Sequence, residues 1–243
     1  MIKRNYYKIV RVFPDPSSYF YIKNETMNQE QIMFRGDWLP TVNLEYSFDK
    51  VNWKSYNGDL YIPANGYLYF RNTSGTFCTS EYDNIIYLYD NFSIGGDIRT
   101  LFNYTDVESV TKIPDYGLSF PFVCFNDCKC IDISNLSFRG ISEIGNYGLQ
   151  NTFSANSTFT KGVDLRDVTT LGEGALNNLY GSDYNLKEAY APDVSTWDEN
   201  KTSGWLSNVA LTGVLYKPST LTIPTYTGSG IPSGWTTQDY PTK

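Results

Sequence analysis

Hydrophobic and polar positions in the second half of the chain follow a seven-residue pattern that occurs three times. In each copy an aromatic residue is followed, three positions later, by a short polar residue or cysteine, and after three more by an apolar residue. The aromatic residues lie 28 and then 27 residues apart, which predicts one stacked supersecondary unit per copy. The copies are Phe125-x-x-Cys128-x-x-Ile131, Phe153-x-x-Asn156-x-x-Phe159 and Tyr180-x-x-Asp183-x-x-Leu186.

Each copy is predicted to form one coil of a solenoid. A glycine-containing turn leads into a short apolar helical segment, as in Tyr147-Gly-Leu149-x-x-x-Phe153, whose residues four apart share one face. The polar residue of the pattern is short enough to hydrogen-bond the backbone of the next turn. A brief strand follows, and stacked strands would form a narrow parallel sheet. The predicted strands are Ile131-Asp-Ile133, Val163-Asp-Leu165 and Ala189-Tyr-Ala191.

The apolar positions of the pattern are predicted to point into the stack, because the same positions recur in phase from one copy to the next. The predicted repeat core comprises Phe125, Ile131, Leu149, Phe153, Phe159, Leu165, Leu176 and Leu186.

One stretch of the repeats resembles a known motif. Leu171-Gly-Glu-Gly-Ala-Leu-x-x-x-Tyr-x-x-Asp-x-x-Leu-x-x-Ala-Tyr-Ala-Pro192 is similar to the BspA-like leucine-rich-repeat motif I-G-x-x-A-F-x-x-C-x-x-L-x-x-I-x-I-P. The resemblance covers roughly residues 110–218. The cysteine of the motif is kept only at Cys128, and its alanine only at Ala175.

The flanking segments resemble a narrower group. Leu44-Glu-Tyr-Ser-Phe-Asp-Lys-Val-Asn-Trp53, Tyr67-Leu-Tyr-Phe-Arg71 and Gly96-Asp-Ile-Arg-Thr-Leu-Phe102 are similar to the β-rich region that precedes such repeats in gut Bacteroidales and in the large tailed, crAss-like phages that infect them. The segment from Ser203 to Trp235 is similar to the closing segment of the same group. The resemblance implies an architecture and a role in surface contact, and it carries no catalytic residues.

These patterns predict a mainly β fold with short helices. We expect an N-terminal β-sandwich-like module followed by a short leucine-rich-repeat solenoid. The predicted boundaries are 1–40 for a docking segment or first strands, 41–105 for the β-sandwich-like module, 106–218 for the repeats and 219–243 for a closing segment. The 21 Tyr, 14 Phe and 5 Trp favour strands and large contact faces.

The net charge and the types of residue present restrict the classes of function expected for the chain. The formal net charge of −7 disfavours a nucleic-acid partner. The chain has no histidine and four cysteines, so a four-ligand zinc site is disfavoured and we expect no metal and no cofactor. Asp97, Asp115, Asp164 and Asp193 keep a carbohydrate-active enzyme open as a weaker alternative. The main expectation is a protein without catalytic residues.

The N-terminal sequence bears on localisation. It has basic residues throughout and no apolar run of signal-peptide length, and the chain has no span near the ~20 apolar residues of a membrane helix. We therefore expect no membrane insertion. The absence of a signal sequence favours a virion protein, assembled in the host cytoplasm, over the alternative of a bacterial cell-surface adhesin.

The partners expected for such a protein are other virion structural proteins, further copies of itself as a homo-oligomer, and a host-surface glycan or protein. The N-terminal segment is basic within an acidic chain and rich in tyrosine, which is enriched at interfaces. The predicted docking residues are Tyr6, Tyr7, Arg11, Tyr19 and Tyr21. The alternative is that this segment supplies the first strands of the β-module.

Overall fold

The computed structural model describes residues 19–35, 43–56, 60–74, 85–88, 92–118, 132–154, 158–225 and 228–241. The fold is mainly β with few helices. Its strands are β1 (Phe20–Asn24), β2 (Glu30–Arg35), β3 (Leu44–Ser47), β4 (Lys54–Ser55), β5 (Leu60–Ile62), β6 (Tyr67–Asn72), β7 (Ile85–Leu88), β8 (Phe92–Asp97), β9 (Lys112–Ile113), β10 (Asp132–Ser137), β11 (Glu143–Ile144), β12 (Thr170–Leu171), β13 (Glu188–Tyr190), β14 (Gly213–Lys217) and β15 (Trp235–Asp239). Two 3-10 helices span Ile98–Leu101 and Val107–Ser109, and α1 spans Glu199–Thr202.

The N-terminal half contains a six-stranded sheet in the order β10-β8-β1-β6-β3-β4. In its centre β1 and β6 are antiparallel, with Phe20 opposite Phe70 and Ile22 opposite Leu68. These four side chains are buried. Because successive side chains of a strand point to opposite faces, this register places one face on the core and leaves the tyrosine and cationic positions of the same strands on the other.

A second sheet, β5-β2-β7, is antiparallel and is tied to the first by Asn24. This asparagine is buried at the end of β1, and its amide nitrogen donates to the carbonyl oxygens of Ile62, Pro63 and Asn28 at 3.2, 3.1 and 2.7 Å. The bonds satisfy a polar group that would otherwise be costly to bury. They also hold the end of β1 against the end of β5.

The strand β10 links the two halves of the chain. It lies within the range predicted for the repeats, yet it forms the edge of the N-terminal sheet, parallel to β8 with Ser137 opposite Asp97. The buried apolar side chains of both halves form one continuous cluster. The predicted boundary near residue 106 therefore falls within a shared core.

The C-terminal half contains two narrow parallel sheets, β12-β11-β9 and β13-β14-β15. In the first, Lys112 pairs with Glu143, and Glu143 pairs with Thr170, so neighbouring strands are 31 and 27 residues apart. In the sequence, three glycine-containing segments recur with the same spacing: Pro114-Asp-Tyr-Gly-Leu118, Gly145-Asn-Tyr-Gly-Leu149 and Gly172-Glu-Gly-Ala-Leu176, here called the Gly-rich pentads. Each strand thus pairs with its counterpart one period along the chain.

The prediction of a helical segment from Tyr147 to Phe153 is wrong, because the chain forms consecutive turns there. The N–H groups of Tyr147 and Leu149 donate to the carbonyl oxygens of Glu173 and Ala175 in the next coil, at 2.7 and 2.9 Å. Between them, the N–H of Gly148 bonds within its own turn. Tyr147 also has a φ of 54°, in the left-handed region, which a right-handed helix excludes.

The strand predicted at Val163-Asp-Leu165 is also wrong, since these residues lie in no strand. The nearest pairing is an isolated parallel bridge between Lys161 and Glu188. The N–H of Val163 donates instead to the phenol oxygen of Tyr180, at 2.9 Å. A side chain has replaced the neighbouring strand as hydrogen-bond acceptor, and burial of that phenol raises the pKa of Tyr180 above its ordinary value.

Six of the residues predicted as repeat core lie in the described part of the chain, and each is between 0% and 2% exposed: Leu149, Phe153, Phe159, Leu165, Leu176 and Leu186. Phe125 and Ile131 lie outside the described residues. Asp183, at the polar position of the third copy, is fully buried, while its counterparts Cys128 and Asn156 lie outside the described residues.

Side chains at equivalent positions of successive coils lie on one another. The rings of Phe153 and Tyr180 stack at 5.9 Å with an interplanar angle of 15°, and those of Tyr190 and Tyr216 stack at 4.9 Å. The amide of Asn178 donates to the Oδ1 atom of Asn151 at 2.8 Å. Similar side chains at equivalent positions therefore pack against each other along the stack. No helix among the described residues has the length and apolarity needed to cross a membrane.

Candidate functional site

The predicted docking residues that the structure describes lie on the outer face of the six-stranded sheet. Tyr19 is half-buried and precedes β1, while Tyr21, within β1, is only 9% exposed. The ring of Tyr21 lies 5.3 Å from that of Tyr67 and 6.2 Å from that of Tyr69. Burial and the neighbouring Tyr67 raise the pKa of the Tyr21 phenol. Tyr6, Tyr7 and Arg11 lie outside the described residues.

Cationic side chains cover the rings on this face. The Nζ atom of Lys50 lies 4.5 Å from the ring centre of Tyr69. The guanidinium of Arg71 lies between two rings, 4.0 Å from the centre of Trp53 and 4.3 Å from that of Tyr104. Cations over aromatic faces are attracted by the ring quadrupole, the more so when they are desolvated. We call this the aromatic–cation face.

One carboxylate completes the arrangement. Glu45 on β3 accepts from the Nη2 and Nε atoms of Arg71 at 2.6 and 2.7 Å. Burial also raises the pKa of Tyr69 to about 12. Each cation on this face is thus already engaged by a ring or a carboxylate. The charged groups of this face are therefore largely paired within the face. The edges of its half-buried rings remain available for contact.

A pair of glycines in β8 makes room for this face. Gly95 lies opposite Tyr21, and a Cβ atom at Gly95 would overlap the phenol oxygen of that tyrosine. Gly96 has a φ of 85°, and a Cβ there would overlap the carbonyl oxygen of Tyr19. Only glycine fits such positions. The sequence signal was the Gly-Gly pair inside a strand.

A cleft of about 470 Å³ lies at the junction of the two halves. We call it the arginine cleft. Its walls come from the end of β10 and from the coil one period later, and together they offer an apolar surface, two guanidinium groups, two carboxylates and a hydroxyl. The lining residues are Ser137, Phe138, Arg139, Asp164, Arg166 and Asp167.

Asp164 and Arg166 form a fork on one wall of the cleft. The Nε and Nη2 atoms of Arg166 donate to the Asp164 carboxylate at 2.9 and 2.6 Å, and its Nη1 atom donates to the carbonyl oxygen of Pro241 at 2.8 Å. The hydrogen bond from Asp164 raises the pKa of Arg166. Such paired bonds fix the planes of both groups. This wall of the cleft is therefore preorganised.

The same fork occurs on β8 and the helical turn that follows it. The Nε atom of Arg99 donates to both Asp97 carboxylate oxygens at 3.0 and 3.1 Å, and that hydrogen bonding raises the pKa of Arg99. In sequence both forks read as Asp-x-Arg. Sequence reasoning placed Asp97 and Asp164 among the carboxylates of a weaker enzyme alternative, and in the structure each is held by the arginine two residues later.

Arg139 differs from the other arginine of the cleft. It is exposed, and its guanidinium makes no hydrogen bond or ion pair with any described residue. The next residue, Gly140, donates its N–H to Asp167 Oδ2 at 3.0 Å, which joins the two walls. The cleft thus has one guanidinium without a partner among the described residues, and its lining also includes carboxylate and hydroxyl groups. Sequence reasoning did not single out Arg139.

In the described part of the chain, no group of three or more His, Cys, Asp or Glu residues could hold a metal ion. The four cysteines Cys78, Cys124, Cys128 and Cys130 lie outside the described residues.

Comparison with known proteins gives no relative for this chain: no family model, no curated protein and no solved structure matches it.

Proposed function

We propose that this chain is a non-enzymatic structural and adhesive protein of a tailed phage virion, serving as a head or tail fibre, spike or decoration protein. In this proposal a β-sandwich-like N-terminal module attaches to the particle and a BspA-like leucine-rich-repeat solenoid makes the outward contact. The resemblance of the repeats and their flanks to proteins of gut Bacteroidales and their phages supports the assignment.

The observation that carries the adhesive role is the in-register hydrogen bonding between coils. Tyr180 and Ser182 donate their N–H groups to the carbonyl oxygens of Trp205 and Ser207, at 2.9 and 2.7 Å, as other alternate residues do earlier in the stack. This bonding supports a rigid scaffold on which equivalent side chains line up in columns. Repeat scaffolds of this kind typically provide extended contact surfaces.

The arginine cleft is the contact site that the geometry favours for a glycan. A sugar offers closely spaced hydroxyl donors and acceptors, and the cleft is lined by a cation, Arg139, and by the acceptors Asp164 and Asp167. Sites with a few fixed polar groups on an apolar surface are typical of small-ligand binding.

The aromatic–cation face is the counterpart proposed for attachment. Tyr19 is half-buried there and next to Trp53, with ring centres 5.1 Å apart. Tyrosine, tryptophan and arginine are the residues most enriched among interface anchors. A partner that covers the ring edges would find them already ordered, which lowers the entropy lost on binding.

The virion role is tested on particles. Antibodies against the purified protein, used for immunogold electron microscopy, are expected to label purified phage particles, and mass spectrometry of the same particles is expected to detect the chain. Uninfected host cells are the second arm. Label confined to the surface of uninfected cells would support a bacterial adhesin and reject the virion assignment.

The adhesive role is tested with a glycan array and the full-length protein. We expect binding to a subset of host-surface glycans and a loss of about tenfold on Arg139→Ala, the size of one charge-assisted hydrogen bond. Lys54→Ala is the matched control, because Lys54 is an exposed cation on β4, outside the cleft. An equal loss of binding in both variants would show that the effect comes from the change in net charge and not from the cleft.

A further inference from the structure

The strand β15 forms an open edge of the parallel sheet β13-β14-β15. It pairs with β14 on one side, and no described residue pairs with its other side. All four residues after Trp235 in this strand are exposed. An open edge carries a row of backbone N–H and C=O groups without partners, and it is therefore a template for a further strand.

Hydrogen bonds on the far side of β14 establish which backbone groups point to β15. The N–H of Val214 donates to the carbonyl oxygen of Lys187 at 2.8 Å, and the carbonyl of Tyr216 accepts from Ala191 at 2.9 Å. Val214 and Tyr216 therefore face β13. Since successive residues of a strand direct their backbone groups to alternate sides, Leu215 between them faces β15.

The register then defines the outer edge of β15. Leu215 lies opposite Thr237, and in a parallel ladder a residue bonds to the two neighbours of its opposite residue. Those neighbours are Thr236 and Gln238, whose backbone groups are thus used by β14. The hydroxyl of Thr236 also reaches the carbonyl oxygen of Gly213 at 3.5 Å. The groups that point outward belong to Trp235, Thr237 and Asp239.

The outward backbone groups of one β15 can bond to those of a second copy of β15. The N–H of Trp235 is already bonded to the carbonyl oxygen of Pro232 at 3.1 Å. The carbonyl of Trp235 and both backbone groups of Thr237 and of Asp239 remain. If a second β15 lies antiparallel with Thr237 opposite Thr237, the two Thr237 residues exchange two hydrogen bonds. Each Asp239 N–H then meets the carbonyl of the other Trp235, giving two more.

Side chains and charge agree with this arrangement. The strand carries a single charge, on Asp239, and antiparallel pairing puts the two copies of that residue at opposite ends, where they do not repel. No lysine or proline lies within the strand to block pairing. A cavity of about 500 Å³ with both apolar and polar lining residues, among them Ile231, Trp235 and Thr237, lies beside the edge and would be covered by the second copy.

We propose that β15 pairs antiparallel with β15 of a second copy of this chain, making a two-fold dimer centred on Thr237. A symmetric edge-to-edge contact is closed, so it ends at two copies. The dimer does not depend on the virion role or on a ligand of the arginine cleft, because it concerns the backbone edge of β15 and is measured on the isolated protein.

The test is sedimentation velocity of the full-length chain over a micromolar concentration series, with Thr237→Pro as the variant. The Thr237 N–H points away from β14, so proline removes an outward donor and leaves the ladder to β14 intact. We expect the wild type to dimerise and the variant to dimerise about tenfold more weakly or worse, the loss of two symmetric hydrogen bonds. Thr237→Val, which keeps the backbone donor, is expected to dimerise like the wild type.

Hydrogen exchange of the wild type provides a readout that does not depend on any variant. The amides of Thr237 and Asp239 are expected to become protected as concentration rises, while that of Trp235 is protected throughout. A monomer at every concentration overturns the proposal, and so does a dimer that Thr237→Pro leaves unchanged. If that variant fails to fold, unprotected amides at Thr237 and Asp239 in a wild-type dimer lead to the same rejection.

Discussion

The N-terminal sheet and the C-terminal coils cover their aromatic rings in different ways. On the aromatic–cation face, Lys50 covers Tyr69 and Arg71 lies between Trp53 and Tyr104. In the coils, rings stack on rings of the next period, as Phe153 does on Tyr180, and cations contribute at Tyr190, where Lys161 and Arg166 also lie over the ring. In the sheet each neighbour comes from an unrelated position, so complementary groups must meet. In the coils the stacking partner comes from the equivalent position one period along, so similar side chains suffice for that contact.

The comparison predicts that the stability of the coils depends mainly on the burial of side chains, whereas that of the sheet depends on specific contacts between side chains. A coil residue loses contact with the coils above and below when it is truncated. A residue on the aromatic–cation face loses a small number of specific partners. Four substitutions test this difference, and their expected effects on the free energy of unfolding fall in order.

The largest effect is expected for Phe153→Ala. The side chain is 1% exposed, and its ring lies against those of Tyr180 and Phe159. Truncation of such a residue costs ~3–5 kcal/mol through lost burial and the cavity left behind. Urea denaturation measures it, and Tyr184→Ala, at a position 64% exposed, should change stability by less than about 0.5 kcal/mol. A loss below about 1 kcal/mol for Phe153→Ala would contradict the packing.

Gly96→Ala is expected to cost about 2 kcal/mol or more, because the added Cβ atom overlaps the carbonyl oxygen of Tyr19 in addition to the strain of a positive φ. Gly228→Ala is the matched control. Gly228 has a similar φ of 89°, with no atom within 4 Å of the added Cβ, so it should show only the cost of the backbone strain, about 1 kcal/mol. Equal losses in thermal unfolding would remove the steric argument for β8.

Arg71→Ala is expected to lower the free energy of unfolding by about 1–2 kcal/mol, through loss of two ring contacts and of the bonds to Glu45. Arg71→Lys keeps the charge but not the planar group that lies between Trp53 and Tyr104. It should therefore recover only part of the loss. Full recovery by lysine in chemical denaturation would show that charge alone matters at this position.

The smallest effect is a pH dependence from Tyr69. Burial raises its pKa to about 12 in the folded protein, against about 10 in an unfolded chain. The unfolded state releases this proton first, so the stability contribution is present below about pH 10 and is lost as pH rises towards 12. The loss is on the order of 1 kcal/mol. Stability is measured by denaturation between these pH values, and Tyr69→Phe should flatten that part of the curve. An unchanged slope would assign the loss to other groups.

Much of the coil region could be predicted from the sequence. The predominance of strands over helices followed from composition and pattern, and the structure confirms it. The spacing of 31 and 27 residues between the Gly-rich pentads is the spacing between β9, β11 and β12. When neighbouring coils stack, residues that are one period apart in the sequence lie next to each other in space. For the same reason the two walls of the arginine cleft, at Arg139 and Arg166, lie one period apart and could have been found.

The conformation within each coil was decided by tertiary contacts. The residues from Leu149 to Phe153 carry helix-like spacing, yet turns form there because alternate N–H groups bond to the next coil. Local spacing describes which side chains share a face and does not include the acceptor that a neighbouring coil offers. Val163 illustrates the same limit, since Tyr180 takes the place of a strand partner.

By itself the sequence determined the class of fold, the period and the apolar positions, because these depend on the composition and order of residues along the chain. The tertiary structure alone decided that β10 joins the N-terminal sheet, that Arg71 lies between two rings, and that Arg139 lines one cleft with Asp164 and Asp167. Each of these depends on a neighbour brought close by the whole fold. The free energy that selects such neighbours comes from burial and hydrogen bonds between distant segments, which no local pattern records.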